Sequence, residues 1–571
     1  MDAVLVAPPY IRNKDFSTSR FASAFLTPAF EHLGLESILA NCLASDFDVT
    51  CMSCPIERLD VPTAGQELAA LKPSAIGISI NYENVDWVGG VQLARELRNR
   101  GYTGLLVAGG MAATYLAEEI LGERSFDAVV CGEGEWTFPQ VLRSYQAQKA
   151  LGEIRGLMLR TPDGARFTGP ARPPTFDAIP SPRRALLHKL DRFQATIGIP
   201  VETSRGCWGR CSFCMVPEFH GHEWRPKPLV NVVQEMRAVQ DALGPAQFEF
   251  VDDNFFGPHP GNERAFDLAD LMQKEGLRSR IALSCRVDSI APEWIRRLQD
   301  VGLNALFVGV ESGSRSVLRR YAKGTTVDRN RKAIEILSRF DLPVNTCFIM
   351  FDPYTTLAEL RESVNFVCET EAYRLGMRPL NLLNSLTVLK GTSYYELLRD
   401  SGLLIPIGKM FFDIKYTDPA VALVRAVMLY LNILISPIDM KVRHLVISFI
   451  GITRLLASRY HLTDGIIEGI PELHHDFFNG YSEWHNTLPG FVLSTLDSVL
   501  GIMESGMPCT EETLQTLKLA VVSRFHENLQ AKIGKTNIHE LLLTLDQLFS
   551  APVIRLTIPG QGVLELDRTE A

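Results

Sequence analysis

The segment VETSRGCWGRCSFCMVP, residues 201–217, places Cys207, Cys211 and Cys214 within eight residues of one another. Thiolates are the usual protein ligands of iron–sulfur clusters, and most such clusters take four of them. Three cysteines at x3 and x2 spacing would leave one iron of a [4Fe–4S] cluster open to another molecule. Gly206 and Gly209 give the loop freedom to wrap such a group. A zinc site would favour C-x2-C pairs completed by a fourth Cys or His, and His220 and His222 follow closely enough to keep that alternative open.

Other residue types invite the same question. Asp252 and Asp253, in FVDDNF, either act on a bound molecule or hold nearby loops. Cys51-Met-Ser-Cys54 has redox-motif spacing but ends a strand-like run, so no lowered thiol pKa is expected. His461, His474, His475 and His485 lack the H-E-x-x-H or C-x2-C spacing of a metal site and read as surface or capped histidines.

These residues need a frame. The first ~145 residues alternate buried-strand runs (AVLVAPP, FDVTCMS, AIGISIN, GLLVAGG, FDAVVCGEGE) with helical patterns. That alternation predicts a parallel sheet with helices on both faces, its ligand beyond the carboxyl ends of the strands. Residues 146–190 read as a linker, with a hairpin at Asp163-Gly164 and a proline-rich end. From ~191 to 400 a second series follows: IPVETS, QFEFVDD, IALSCRV, ALFVGVES, VNTCFIMF and NSLTVL. Six βα units predict an incomplete parallel barrel with the cysteine loop at its carboxyl-end face. Residues 401–571 read as mostly helical with a short β-like tail. The apolar run at 420–435 is interrupted by Arg425, falls short of the ~20 residues of a membrane span, and reads as a buried helix.

The chain has 571 residues, a net charge of -9 and eleven cysteines. That length predicts two to four domains. The acidic balance and the lack of basic clusters argue against a nucleic-acid partner. Eleven irregularly spaced cysteines do not form a secreted disulfide framework. The start lacks a signal-peptide pattern. A cytoplasmic protein without a membrane partner is expected.

The Cys207-x3-Cys211-x2-Cys214 motif, with Phe213 before its third cysteine, resembles the hallmark of the radical S-adenosylmethionine (SAM) superfamily. FVDDNF (250–255), LFVGVESGS (306–314) and LKGTSYYELL (389–398) resemble its second-strand, fourth-strand and closing segments. The resemblance implies that the three cysteines hold the cluster and that Phe213, Glu311, Ser312 and Arg286 contact SAM. Upstream, VAPPY, IGISIN, GGMAAT and VVCGEGE resemble the Rossmann-like (flavodoxin-like) cobalamin-binding domain that precedes many such barrels. The overall expectation is therefore an α/β chain: a cobalamin-binding domain at 1–145, a partial (β/α)6 TIM-type radical SAM barrel at 191–400, and a helical domain at 401–571 that would cap the substrate. Ser79, Asn81, Tyr82, Gly109, Gly110, Gly132 and Glu133 are the cobalamin candidates.

The resemblance implies three cofactors: a [4Fe–4S] cluster, SAM and cobalamin. It further implies a small-molecule substrate, free or carrier-bound, and an external electron donor such as flavodoxin or ferredoxin. Methylation of an unactivated carbon of a natural product, as in antibiotic biosynthesis, is the expected reaction. Rearrangement or cyclisation without methyl transfer is the alternative. A methylthiotransferase would need a second cluster on three N-terminal cysteines, and Cys42, Cys51 and Cys54 are poorly spaced for one. A non-catalytic cobalamin-binding module would not need the cysteine motif.

Two departures stand out. The Asp-x-His-x-x-Gly pattern that ligates cobalt in many cobalamin proteins is absent, and residues 8–28 hold no histidine. Asn81-Tyr82-Glu83 is expected to face cobalt instead. Phe351-Asp352-Pro353 stands where a Gly-x-Pro is frequent, which would reshape the substrate side of the barrel.

Overall fold

A computed structural model describes residues 1–11, 32–81, 86–173, 175–189, 198–244, 246–258, 263–376, 379–436, 475–525, 527, 553–558 and 562–567. Side chains at 177, 379, 380 and 475–486, and those of the last two segments, are outside the description. So are Tyr82 and the four C-terminal histidines named above.

The strands of the first half are β1 Ala3–Ala7, β2 Val49–Ser53, β3 Ala75–Ser79, β4 Leu105–Gly109, β5 Ala128–Val130, β6 Leu157–Thr161 and β7 Gly164–Phe167. Next come β8 Ile199–Val201, β9 Ser204–Arg205, β10 Arg225–Pro226, β11 Gln247–Phe250, β12 Arg280–Arg286, β13 Leu303–Glu311 and β14 Val344–Phe348. Then follow β15 Val388–Leu389, β16 Leu404–Pro406 and β17 Phe411–Ile414, and a hairpin of β18 Val553–Ile558 and β19 Gly562–Asp567. The chain divides into two compact units. The first holds residues 1–190, 199–279 and 387–413; the second holds 191–198, 280–386 and 414–571.

In the first unit, seven strands form one sheet in the order β2-β1-β3-β4-β5-β6-β7. β1 to β5 are parallel, the 2-1-3-4-5 order of a flavodoxin-like sheet. Their near-continuous apolar runs follow from burial on both faces: all five residues of β1 and all three of β5 are buried. The hairpin expected in the linker exists, and it adds β6 and β7 antiparallel to the edge of this sheet. Gly164 pairs with Thr161, so Pro162-Asp163 forms the two-residue turn, one position earlier than expected. β8 and β11 pair in parallel.

In the second unit, β12, β13 and β14 form parallel pairs, separated by the helices Pro292–Gln299 and Val327–Leu337. NSLTVL, expected as a sixth parallel strand, is not one. Within the second unit, Ser385 makes a single parallel bridge to Phe351. Val388–Leu389, in the first unit, pairs antiparallel with β17.

The Phe351-Asp352-Pro353 departure has a structural account in the second unit. Asp352 is fully buried. It accepts from Tyr321 Oη at 3.1 Å and Thr355 Oγ1 at 3.0 Å, and pairs with Arg320 at 3.2 Å. This carboxylate fixes the turn into the helix Leu357–Thr370, which opens on a Thr356/Glu359 capping box. The apolar run forms a helix at Pro419–Ser436, the one described helix long and apolar enough to cross a membrane. Val421, Val424, Met428, Leu431 and Ile435 bury one face, while Ile433 is exposed, so the helix is amphipathic rather than buried all round.

Candidate functional site

The carboxyl end of the first sheet is built from small residues and backbone. Asn81 sits just past β3 and organises it. Its side chain donates to Ser79 Oγ at 3.0 Å and accepts from Met111 N at 3.2 Å, and its own N–H donates to Asp86 at 2.9 Å. Gly110 follows β4 with φ +101°, and a Cβ there would lie 2.6 Å from the Asn81 side-chain oxygen and 2.7 Å from the Ile80 carbonyl. Only glycine meets both demands. Thr114 Oγ1 accepts from Gly132 N and donates to Gly110 O, each at 2.9 Å, linking the loops after β4 and β5. A Cβ on Gly132 would meet nothing within 4 Å, and one on Gly109 only Val130 at 3.8 Å. The edge therefore offers open space lined by backbone, a cradle that fits a broad ligand such as cobalamin.

The cysteine loop begins after β8, in the same unit. Cys207, Cys211 and Cys214 are half-buried and in no disulfide. The Gly209 N–H points to Cys207 Sγ at 3.3 Å. Gly206, at φ +81°, leaves no room for a Cβ against the Glu223 carbonyl. Burial, with smaller effects from Cys211, Asp253 and Cys207, pushes the Cys214 thiol up to about 12, so binding iron must displace its proton. Among the described residues no three His, Cys, Asp or Glu groups converge as a single metal ion requires. Beside Phe213, the Ser212 carbonyl accepts from Tyr394 N at 2.9 Å and Ser393 Oγ at 3.2 Å, so the closing segment anchors the loop.

Asp252 and Asp253 divide the task of holding this loop. Asp252 is buried and accepts from Thr203 N at 2.7 Å, from Ser204 Oγ at 2.8 Å, and from Thr203 Oγ1. Burial raises its pKa to about 6 despite these bonds. Asp253 accepts from Gly206 N at 3.2 Å. Both aspartates thus hold loops.

Arg205 (2.7 Å), His220 (3.0 Å) and Arg225 all reach the buried Glu133 carboxylate. A cobalamin candidate by position, it is engaged by the flanks of the cysteine loop.

In the second unit, Arg286 ends β12. Its guanidinium bonds Asp288 at 2.7 Å and the Lys323 carbonyl at 2.6 Å. Glu311 ends β13 at φ +67° and pairs with buried Lys323 at 2.7 Å. Ser312 is wholly buried; its hydroxyl meets Ser363 at 3.1 Å and accepts from Ser314 N at 3.0 Å. Those bonds let the Ser312 side chain hold the turn after β13. Sequence reading missed Lys323, Arg205 and Glu135. The KG pair after LRRYA carried no signal, whereas Arg205, beside the cysteines, and Glu135, in CGEGE, were adjacent to motifs already recognised.

The N-terminal cysteines lie in the core of the first sheet. Cys42, Cys51 and Cys54 are each nearly inaccessible, and burial pushes the Cys42 and Cys54 thiols up to about 12.

Residues 201–367 match the family model of the radical SAM superfamily. These residues form a radical SAM domain. That domain implies a [4Fe–4S] cluster and SAM as cofactors. The chain is 28% identical over 340 residues to an uncharacterized methyltransferase of Pyrococcus horikoshii, covering 58% of this chain and 72% of that protein. It is 27% identical over 346 residues to 4'-phospho-dehydrooxetanocin synthase of Priestia megaterium, covering 54% and 44%. It is 26% identical over 327 residues to hopanoid C-3 methylase of Methylococcus capsulatus, covering 55% and 60%. The chain thus spans less than two thirds of two of these three relatives. The solved structure of the cobalamin-dependent SAM radical enzyme OxsB with aqua-cobalamin bound superposes with a TM-score of 0.71 over 96% of this chain and 84% of that one, at 16% identity. The chain therefore shares the fold of that structure.

Proposed function

We propose that the protein is a cobalamin-dependent radical SAM methyltransferase acting on an unactivated carbon of a small-molecule substrate. One observation carries this reading: a single compact unit holds both the three-cysteine loop and the open carboxyl edge of a 2-1-3-4-5 sheet. The relatives named methyltransferase and methylase support methyl transfer. When bound, the cluster and SAM supply hydrogen abstraction by a 5′-deoxyadenosyl radical, and cobalamin supplies a methyl group.

The residues of the chain bind, orient and exclude water around this chemistry. Cys207, Cys211 and Cys214 hold the cluster as thiolates. Phe213 offers its ring to the adenine of SAM, and Glu311 and Arg286 offer charge to its polar groups. Ser79, Asn81, Gly109, Gly110 and Gly132 offer backbone and small side chains to cobalamin. The loop Asn81-Tyr82-Glu83 would stand near cobalamin in place of a histidine; of its residues, Tyr82 and Glu83 lie outside the described ones. Residues 1–145 make up the cobalamin-binding part, 146–190 a connector, 191–400 the barrel, and 401–571 a substrate cap. None of the eleven cysteines is in a disulfide, which suits a reducing cytoplasm and a flavodoxin- or ferredoxin-type donor. A role in making an antibiotic or related metabolite follows from the same reading.

Anaerobically reconstituted protein, given cobalamin, SAM, a reductant and a protein-free small-molecule extract, tests it. Methylation yields S-adenosylhomocysteine and 5′-deoxyadenosine in similar amounts. The relative named a synthase favours a second reading, rearrangement without methyl transfer, which yields deoxyadenosine alone. Neither product would overturn both.

A further inference from the structure

The carboxyl end of β5 delivers two glutamates, Glu133 and Glu135, into a buried cluster of charges flanking the cysteine loop. Arg205, two residues before Cys207, is the hub. Its guanidinium meets Glu202 through Nε and Nη2, both at 2.8 Å, Glu133 at 2.7 Å and Glu135 at 2.9 Å. Glu133 also engages Arg225, on the strand that pairs with β9. His220 spans the remaining gap, with Nδ1 3.0 Å from Glu133 and Nε2 3.8 Å from Asp253. Asp253 accepts the Gly206 N–H at 3.2 Å. An unbroken chain of polar contacts thus runs from the β5 end to the backbone beside Cys207. Burial pushes the Glu133 carboxyl up, but His220, Arg205 and Arg225 outweigh it and hold the group well below the usual carboxylate range.

So many charges in one place are costly to bury unless the arrangement does something packing alone could not. Arg205 and Arg225 face Glu133, Glu135 and Glu202, with Asp253 completing the chain, so negative charge is not in deficit beside the loop. The reduction potential of an iron–sulfur cluster responds to nearby charge.

We propose that Glu133 and Glu135 are positioning residues for the cysteine loop, acting through Arg205 and His220, and that their charges tune the reduction potential of the cluster. This rests on the reading that Cys207, Cys211 and Cys214 hold a [4Fe–4S] cluster. It gives Glu133 a task other than cobalamin contact.

The test is an EPR-monitored redox titration of the full chain, reconstituted anaerobically with iron and sulfide. Glu133→Gln and Glu135→Gln remove negative charge and shift the midpoint potential upward. Arg225→Gln removes positive charge and shifts it downward. Glu123→Gln deletes an exposed ion pair with Arg95 before β5 and leaves the potential in place. Opposite shifts from opposite charges cannot come from loosened packing, which would move all three buried-site variants alike. A hydroxocobalamin titration of Glu133→Gln shows unchanged affinity. If Glu133→Gln fails to fold, the Glu135→Gln and Arg225→Gln pair carries the test of sign. Shifts of one sign, no shifts, or a loss of cobalamin affinity without a shift in potential overturn the inference while the cluster reading stands. Wild-type protein that takes up no cluster overturns the cluster reading and the inference together.

Discussion

Two kinds of strand end meet ligand chemistry in this chain. At the carboxyl ends of β3, β4 and β5 stand Ser79, Gly109, Gly110 and Gly132, and a Cβ on Gly132 would find empty space. Past β8 and β11, and at the ends of β12 and β13, stand Arg205, Asp252, Arg286 and Glu311, each buried and each paired or hydrogen-bonded. The contrast fits the proposed function, in which the open ends take cobalamin and the filled ends take the cluster loop and SAM. A broad corrin ring needs room and backbone contacts, which small residues supply. A cluster loop and a charged sulfonium nucleotide need fixed charges, which cost free energy to bury unless each finds a counter-charge. The open end at Gly132 is expected to tolerate substitution in folding but not in binding, whereas substitution at the filled ends costs folding as well. Each prediction below can break that contrast or sharpen it.

The largest effect is at the loop itself. Cys214→Ala is expected to abolish cluster uptake and SAM cleavage, because two thiolates cannot replace three. Cobalamin binding to the glycine-rich edge should persist. Iron and sulfide analysis beside a cobalamin titration checks it. Joint loss of both would show that the two sites are not independently built.

Next comes the Glu311–Lys323 pair in the second unit. Glu311→Gln removes the counter-charge that Glu311 gives the buried Lys323 ammonium, a change that typically costs about 3–5 kcal/mol of folding stability. The double variant Glu311→Gln with Lys323→Met should recover most of that stability but not SAM affinity. Urea denaturation and equilibrium SAM binding separate the two. Recovery of both would reduce Glu311 to a packing role.

Asp252 gives an effect with a defined pH window. Its pKa rises from the ordinary 3.8 to about 6 on folding, chiefly through burial. The folded state then binds more protons than the unfolded state between those values, so stability falls as pH rises from about 4 to 6. The expected loss across that window is about 2–3 kcal/mol, at ~1.4 kcal/mol for each tenfold change in proton affinity. Asp252→Asn should flatten the slope in denaturation curves recorded from pH 4 to 7. An unchanged slope would mean that another buried group carries it.

How much of this was legible in the sequence depended on whether a residue's partner was local. The cysteine loop could be read because its three ligands lie within eight residues. The strands of the first sheet could be read because burial on both faces leaves continuous apolar runs. NSLTVL looked like a sixth parallel strand because its apolar pattern is right, but pairing with β17 depends on residues 411–414, which no local pattern names. Glu133 looked like a ligand residue because it follows a glycine at a strand end. Its real partners, Arg205, His220 and Arg225, lie 72, 87 and 92 positions away. Ser312 sat in a recognised motif, yet its hydroxyl is claimed by Ser363 across 51 positions. Buried charge pairs are long-range by nature, and sequence spacing carries little trace of them.

The smallest predicted effect returns to the open edge. Gly132 has φ +92°, which a side chain adopts only under strain, yet no atom stands within 4 Å of where its Cβ would be. Gly132→Val should therefore fold, with a backbone penalty of about 1–3 kcal/mol. Its isopropyl group would project into space that the binding reading assigns to cobalamin. A weakening of about tenfold in hydroxocobalamin affinity, ~1.4 kcal/mol, is expected, with cluster content unchanged. Gly110→Val is the matching control: there a Cβ would strike Asn81 and the Ile80 carbonyl, so the damage falls on folding itself. If Gly132→Val binds cobalamin as well as the wild type does, the open space beyond β5 belongs to something other than the corrin. The contrast between open and filled strand ends would then need a different ligand to explain it.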